Sequence, residues 1–270
     1  MQESFGVTID VDHGGRWTSL VDPAGRQWLW DRPDPARDLV TPDDPFVDVG
    51  GLEECFHTIG GSPDHGALWT RPWQRLISAE AQIDSVAWES TRLGRHVTAG
   101  PEGIVVNYEL NGPPGLRFIW AAHALLELAV GARFEAAPGR ARAWPGHREP
   151  HETMWPEPLG IDYAELGPDD GSAMFVLLPD HRELTVRDGE DSLRFAIDAP
   201  GQPAAIGLWR NLGGYPWDGS PTYRNIGVEP MLGHVFDLAA AGPGDAAVIA
   251  DSGVVQWSVR IDSGDRAAEM

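Results

Sequence analysis

Glycine and proline recur along this chain at intervals too short for a helix to grow between them. The 270 residues include 32 glycines and 23 prolines, dispersed rather than gathered into a tract. Between these breaks apolar and polar residues alternate with period two, the pattern of a strand with one buried face. Residues 5–11 read this way. So do 16–21 and 26–30, which flank Asp22-Pro23-Ala24-Gly25, a sequence with hairpin-turn chemistry. Further strands are expected at 75–90, 94–99, 103–110, 116–130, 173–179, 182–187, 192–197, 204–210 and 253–261. Helical periodicity is scarce: Val235 to Ala240 suits one or two turns, and Leu125 to Val130 is too short to decide. No repeat, low-complexity tract or flexible linker interrupts the pattern. The reading is an all-β chain, one domain spanning 1–270, with 42% hydrophobic residues to fill a core.

Two stretches read as long loops, about 45–73 and about 138–160. The first contains Gly50-Gly51-Leu52-Glu53-Glu54-Cys55-Phe56-His57 and runs on through His65 to Trp69. Its glycine pair, adjacent acids and two histidines suit neither a core strand nor a helix. The second carries Trp144, His147, His151 and Trp155. Loops of this length in a compact domain commonly carry function, and the tryptophans argue against disorder.

Composition narrows the function classes. Net charge is -21 with no basic stripe, so neither nucleic acid nor an anionic membrane surface is an expected partner. All 20 basic residues are arginine, which removes Schiff-base chemistry and a phosphate-loop lysine. Cys55 is the sole cysteine, so it forms no intrachain disulfide and reads as a small buried hydrophobe. No apolar run is long enough for a membrane helix, and the N-terminal residues lack a secretion signal. A cytoplasmic location is the expectation.

There are 12 tryptophans against 4 tyrosines. Trp28 and Trp257 sit in strands and read as core. Trp69, Trp73, Trp144, Trp155, Trp209 and Trp217 each lie within two residues of a proline or a charged residue. Aromatic plates with hydrogen-bonding neighbours match a sugar, which has apolar C–H faces and a hydroxyl rim. Two further residues carry chemistry. His123 interrupts the apolar run Phe118 to Leu126, either as a satisfied core residue or as an acid/base facing a cavity. Glu229 ends an apolar strand before Pro230, and a buried carboxylate must be paired, solvated or poised as a base.

Taken in order, the segments Gly14-Gly15-Arg16-Trp17-Thr18-Ser19-Leu20, Gly50 to Phe56, Asp64-His65-Gly66, Trp120-Ala121-Ala122-His123, Leu208 to Gly214 and Val228-Glu229-Pro230 resemble the aldose 1-epimerase (galactose mutarotase) family in its short bacterial branch. The resemblance spans nearly the whole chain and implies a large antiparallel β-sandwich. It implies that Glu229 is the base at the anomeric hydroxyl, that His123 is the acid at the ring oxygen, and that His65 hydrogen-bonds in the same region. It offers Arg71, Trp69, Glu54, Trp209 and Asn211 as sugar contacts, with a structural Arg71–Glu54 ion pair as the alternative for those two. The substrate would be a small carbohydrate, with no metal or organic cofactor, and a homodimer is compatible with it. The sequence departs from the family in the alanines flanking His123. Three alternatives remain at this stage. One is a metal site at His147 and His151, which Pro145 and Pro150 disfavour by breaking the helix it needs. The others are a non-catalytic sugar binder, or the same acid/base pair recruited to lyase, isomerase or secondary-metabolite chemistry.

Overall fold

Alternation along the chain becomes two large antiparallel sheets packed face to face. The computed structural model describes residues 4–42, 44–77, 82–146 and 149–264. Among these, one sheet has ten strands and the other eight. The larger follows the order Gly6–Asp10, Arg16–Val21, Leu52–His57, Arg117–Leu126, Tyr223–Leu232, Ala204–Tyr215, Ser172–Leu178, Gly139–Pro145, His151–Trp155, with the short Ala247–Val248 also paired to Arg117–Leu126. The smaller runs Gln74–Ile77, Gln82–Trp88, Thr91–Gly100, Gly103–Asn111, Val254–Asp262, Asp191–Asp198, Glu183–Asp188, Arg133–Glu135. Their inner faces share one hydrophobic core, to which Trp17, Trp28, Phe56, Trp120, Leu208 and Val228 contribute from the larger sheet side. Leu93, Val106, Phe195 and Trp257 contribute from the smaller. No α-helix occurs among the described residues; the expected helical turns at 235–240 are a single 3-10 turn, Leu238–Ala240, capped by the Asp237 carboxylate.

Several segments differ from the sequence reading. Leu52–His57, expected as loop, is a central strand with every residue but the last buried. Its charges are neutralised by partners far away in sequence. Glu54 points into the core and accepts from Arg95 Nη1 at 2.9 Å, Tyr108 Oη at 2.9 Å and Trp120 Nε1 at 2.8 Å. Glu53, on the opposite face, takes both terminal nitrogens of Arg37, at 2.9 and 2.8 Å. The expected loop 138–160 is largely the edge hairpin Gly139–Pro145 and His151–Trp155, joined in register from Gly139↔Trp155 to Ala143↔His151. His147 lies outside the described residues. The run at 116–130 stops at Leu126, and 26–30 pairs only through isolated bridges at Gln27 and Leu29. The turn at Asp22 forms as expected: its carboxylate accepts from Ala24 N and Arg26 N, and from Trp28 Nε1.

Candidate active site

Period two decides which side chains meet. In Arg117–Leu126 the even residues Phe118, Trp120, Ala122, Ala124 and Leu126 enter the inter-sheet core, which turns Ile119, Ala121, His123 and Leu125 to the outer face of the larger sheet. Directly opposed residues of paired strands share a face, so the pair Glu53↔His123 puts the Glu53 side chain beside His123. On the other flank, Val228↔Ala124 fixes the register that sets Glu229 opposite His123. Pro230 does not end this strand, which continues to Leu232. Three adjacent strands thus bring Glu53, His123 and Glu229 into a row.

Over that row opens a cavity of about 880 Å³. His123 and Glu229 form part of its lining, with His123 Nε2 at 3.5 Å from Glu229 Oε1. The other carboxyl oxygen, Oε2, is buried and has no partner. The space for the carboxyl exists because its neighbours on this face are glycines. A Cβ at Gly227 would lie 3.1 Å from Glu229 Oε1 and 2.9 Å from Trp209 Cβ, and one at Gly207 would lie 2.5 Å from the Phe175 ring.

His65 stands beside His123 in the lining. Its ring sits 5.1 Å from that of His123, edge to face, and stacks on Phe46 at 3.6 Å. Its Nδ1 is 3.1 Å from Asp64 Oδ1. His65 adopts φ 59, a left-handed conformation that costs a non-glycine residue on the order of 1–2 kcal/mol. The stack and the Asp64 contact hold it there.

Burial pushes these groups apart electrostatically. Loss of solvent raises Glu229 to about 8, against which the charge of His65 works weakly. Loss of solvent, then the nearby His65 charge, lowers His123 to about 3. For His65 burial also acts downward, but the hydrogen bond and charge of Asp64, with Glu53 and Asp48, outweigh it and the net shift is up. Burial thus favours the uncharged form of each group near neutral pH, the protonated Glu229 carboxyl and the neutral His123 imidazole. Such a pair offers one proton donor and one acceptor, 3.5 Å apart, the two kinds of group that general acid/base chemistry uses.

The remaining candidates divide. Trp209 lines the cavity, its Nε1 donating to Asn225 Oδ1 at 3.1 Å. Asn211 stands behind it, fully buried, giving Nδ2 to Tyr223 O and Asn225 Oδ1 and accepting from the N–H groups of Gly214 and Tyr215. It shapes the wall rather than facing the cavity. Trp69 is buried behind Phe46, with its Nε1 donating to Asp64 O and the Arg37 guanidinium over its ring. Arg71 donates its Nε to Ala67 O and does not line the cavity. Glu54 is on the wrong face of its strand, and its cation is Arg95, not Arg71. His151 is exposed on the edge hairpin and stands outside the lining.

Residues not singled out in the sequence also shape the cavity. Asp48 accepts from Tyr223 Oη at 2.6 Å and from Asn225 Nδ2 at 3.2 Å, and with Asn225 makes a polar rim beside Trp209. Tyr215, Arg142 and Phe175 are also in the lining, beside Trp217 and Trp144, two of the tryptophans marked in the sequence. Asn225 could have been found from its motif, two residues before Gly227 and four before Glu229 on one strand face. Asp48 lies in a proline-flanked stretch with no pattern to mark it.

No family model matches the sequence, and a search of curated proteins returns no significant match. The fold does have solved relatives. A candidate aldose 1-epimerase of Escherichia coli K12 superposes with TM-score 0.70 at 13% identity, covering 96% of this chain and 97% of that one. The Slr1438 protein of Synechocystis sp. PCC 6803 gives 0.68 at 11%, over 97% and 95%. A galactose mutarotase-like protein of Lactobacillus casei gives 0.65 at 14%, over 97% and 98%. The chain has the galactose mutarotase-like fold along essentially its whole length.

Proposed function

We propose that the protein is an aldose 1-epimerase-like isomerase that interconverts the α and β anomers of a free sugar. The observation that carries this reading is the His123–Glu229 contact of 3.5 Å within an aromatic-walled cavity. A bound sugar supplies hydroxyls to the unpartnered Glu229 Oε2 and replaces the hydration that burial removed. That favours moving the shared proton from the carboxyl to His123, giving carboxylate and imidazolium. Glu229 then takes the proton of the anomeric hydroxyl while His123 gives its proton to the ring oxygen. The bond from the anomeric carbon to the ring oxygen breaks and the open aldehyde forms. Rotation about the adjoining carbon–carbon bond presents the other carbonyl face, and reclosure returns both protons. Asp64 keeps His65 oriented for a hydrogen bond to the same ring region. Trp209 offers an apolar plate, and Asp48 with Asn225 offers acceptors and donors to hydroxyls.

General acid and general base together supply about 10²–10⁴-fold each at best, enough for a reaction whose intermediate is a stable aldehyde. Polarimetry on freshly dissolved α-hexoses and α-pentoses near pH 7 tests the proposal. Relaxation faster than buffer, in proportion to enzyme, supports it. Relaxation at the buffer rate for the whole panel rejects it.

A further inference from the structure

The charge of the cavity bears on which sugars it takes. Among the described residues six carboxylates besides Glu229 line it: Asp48, Asp64, Glu149, Glu152, Asp237 and Asp245. Against them stand Arg142 and, when protonated, His65. Both already have carboxylate partners. Arg142 Nε lies 2.5 Å from Glu152 Oε1, and its Nη1 donates to His234 O at 2.9 Å and sits 3.6 Å from Asp245 Oδ1. His65 is held by Asp64. An incoming anion would compete with these carboxylates for the same cations, in a cleft whose described walls leave carboxylate in excess. The cavity is nonetheless built for a polar ligand. Glu229, which contributes to its lining, is 1% exposed and its Oε2 is buried without a partner. A buried acceptor left unmatched costs stability unless a ligand donates to it.

We propose that the substrate is an aldose without phosphate, sulfate or carboxylate, and that an amino-substituted aldose, protonated at neutral pH, is preferred over its neutral parent. This rests on the anomerase reading of the same site. A cleft lined by one sign of charge concentrates ligands of the opposite sign and repels those of the same sign. The negative groups are spread around the lining: Asp237 packs against Gly61, in the segment that carries Asp64 and His65, while Glu152 and Asp245 adjoin Arg142.

The test uses D-glucose, D-glucosamine and D-glucose 6-phosphate, with their galacto counterparts, on the full chain. Binding is read by quenching of tryptophan fluorescence, since Trp144, Trp209 and Trp217 line the cavity. Anomer exchange is read separately by polarimetry. The expected order of affinity is amine, then neutral, then phosphate, with about tenfold or more between the extremes at low salt and a smaller ratio at high salt. Asp245→Asn should narrow that ratio. Phosphate binding as tightly as the neutral sugar overturns the inference, as does the absence of saturable quenching by every sugar tried. Ordered binding with no acceleration of exchange upholds the charge selectivity and rejects the anomerase reading instead.

Discussion

Replacing Glu229 by glutamine should destroy activity and stabilise the protein. The carboxyl is buried, one of its oxygens has no partner, and its pKa is raised from 4.5 to about 8. The native state therefore keeps a proton that the unfolded chain releases above about pH 4.5. Stability contributed by this group falls as pH rises from the unfolded value toward the folded one. At pH 7 the difference is about 2.5 pH units, which at about 1.36 kcal/mol per unit amounts to about 3 kcal/mol of destabilisation. Glutamine has the same shape and no such penalty. With unfolding entropy near 2.1 cal/mol/K per residue, a chain of 270 residues shifts by about 6 °C for that energy. Calorimetric melts of both proteins at pH 5, 6, 7 and 8 supply the assay. Glu229→Gln should melt within a degree or so of the parent near pH 5, about 6 °C above it at pH 7 and about 8 °C above it at pH 8. Parallel curves, with the same gap at every pH, would refute the claim that this carboxyl is held protonated by burial.

Three other outcomes follow from the same geometry. The rate of anomer exchange should be level through neutral pH and fall about tenfold per unit above roughly pH 8, where the His123–Glu229 pair loses its one proton; a rate still rising at pH 9 would contradict this. Gly227→Ala should cost about 1–3 kcal/mol by denaturant titration and at least about tenfold in kcat/KM, because the added methyl meets Trp209 and the Glu229 carboxyl; wild-type kinetics would mean the carboxyl moves freely. Arg95→Met strands the fully buried Glu54 and should cost about 3–5 kcal/mol; a melt within 1 °C or so of wild type would show the pair to be dispensable.

Much of the larger architecture was legible because alternation and turn chemistry are local. The hairpin at Asp22, the strands at 103–111 and 191–198, and the scarcity of helix follow from neighbouring residues alone. Leu52–His57 was not legible, because its two glutamates look solvated until Arg37 and Arg95 arrive from 16 and 41 residues away. The same fact removes Glu54 from the site: period two puts it in the core once the strand is recognised. The hairpin at 139–155 was hidden by Pro145, which edge strands tolerate. Glu229 and His123 stand in short motifs, and period two with strand register sets them side by side, while His65 comes to them on a loop that no register fixes. Trp69, Asn211 and Arg71 do not line the cavity, and residue type alone gave no sign of that. A tryptophan in a glycine-rich loop packs as readily behind a wall as on it, and nothing local distinguishes Trp69 from Trp209.

The central claim is that Glu229 and His123 act as one unit that holds and passes a proton. Anomer exchange measured for Glu229→Gln, His123→Asn and the double variant tests it most directly. Each single variant should lose about 10²–10⁴-fold, and the double variant should lose little more than the worse of the two, as in groups that function together. Losses that multiply in the double variant, or a single variant that keeps full activity, would show that the two side chains do not share the reaction.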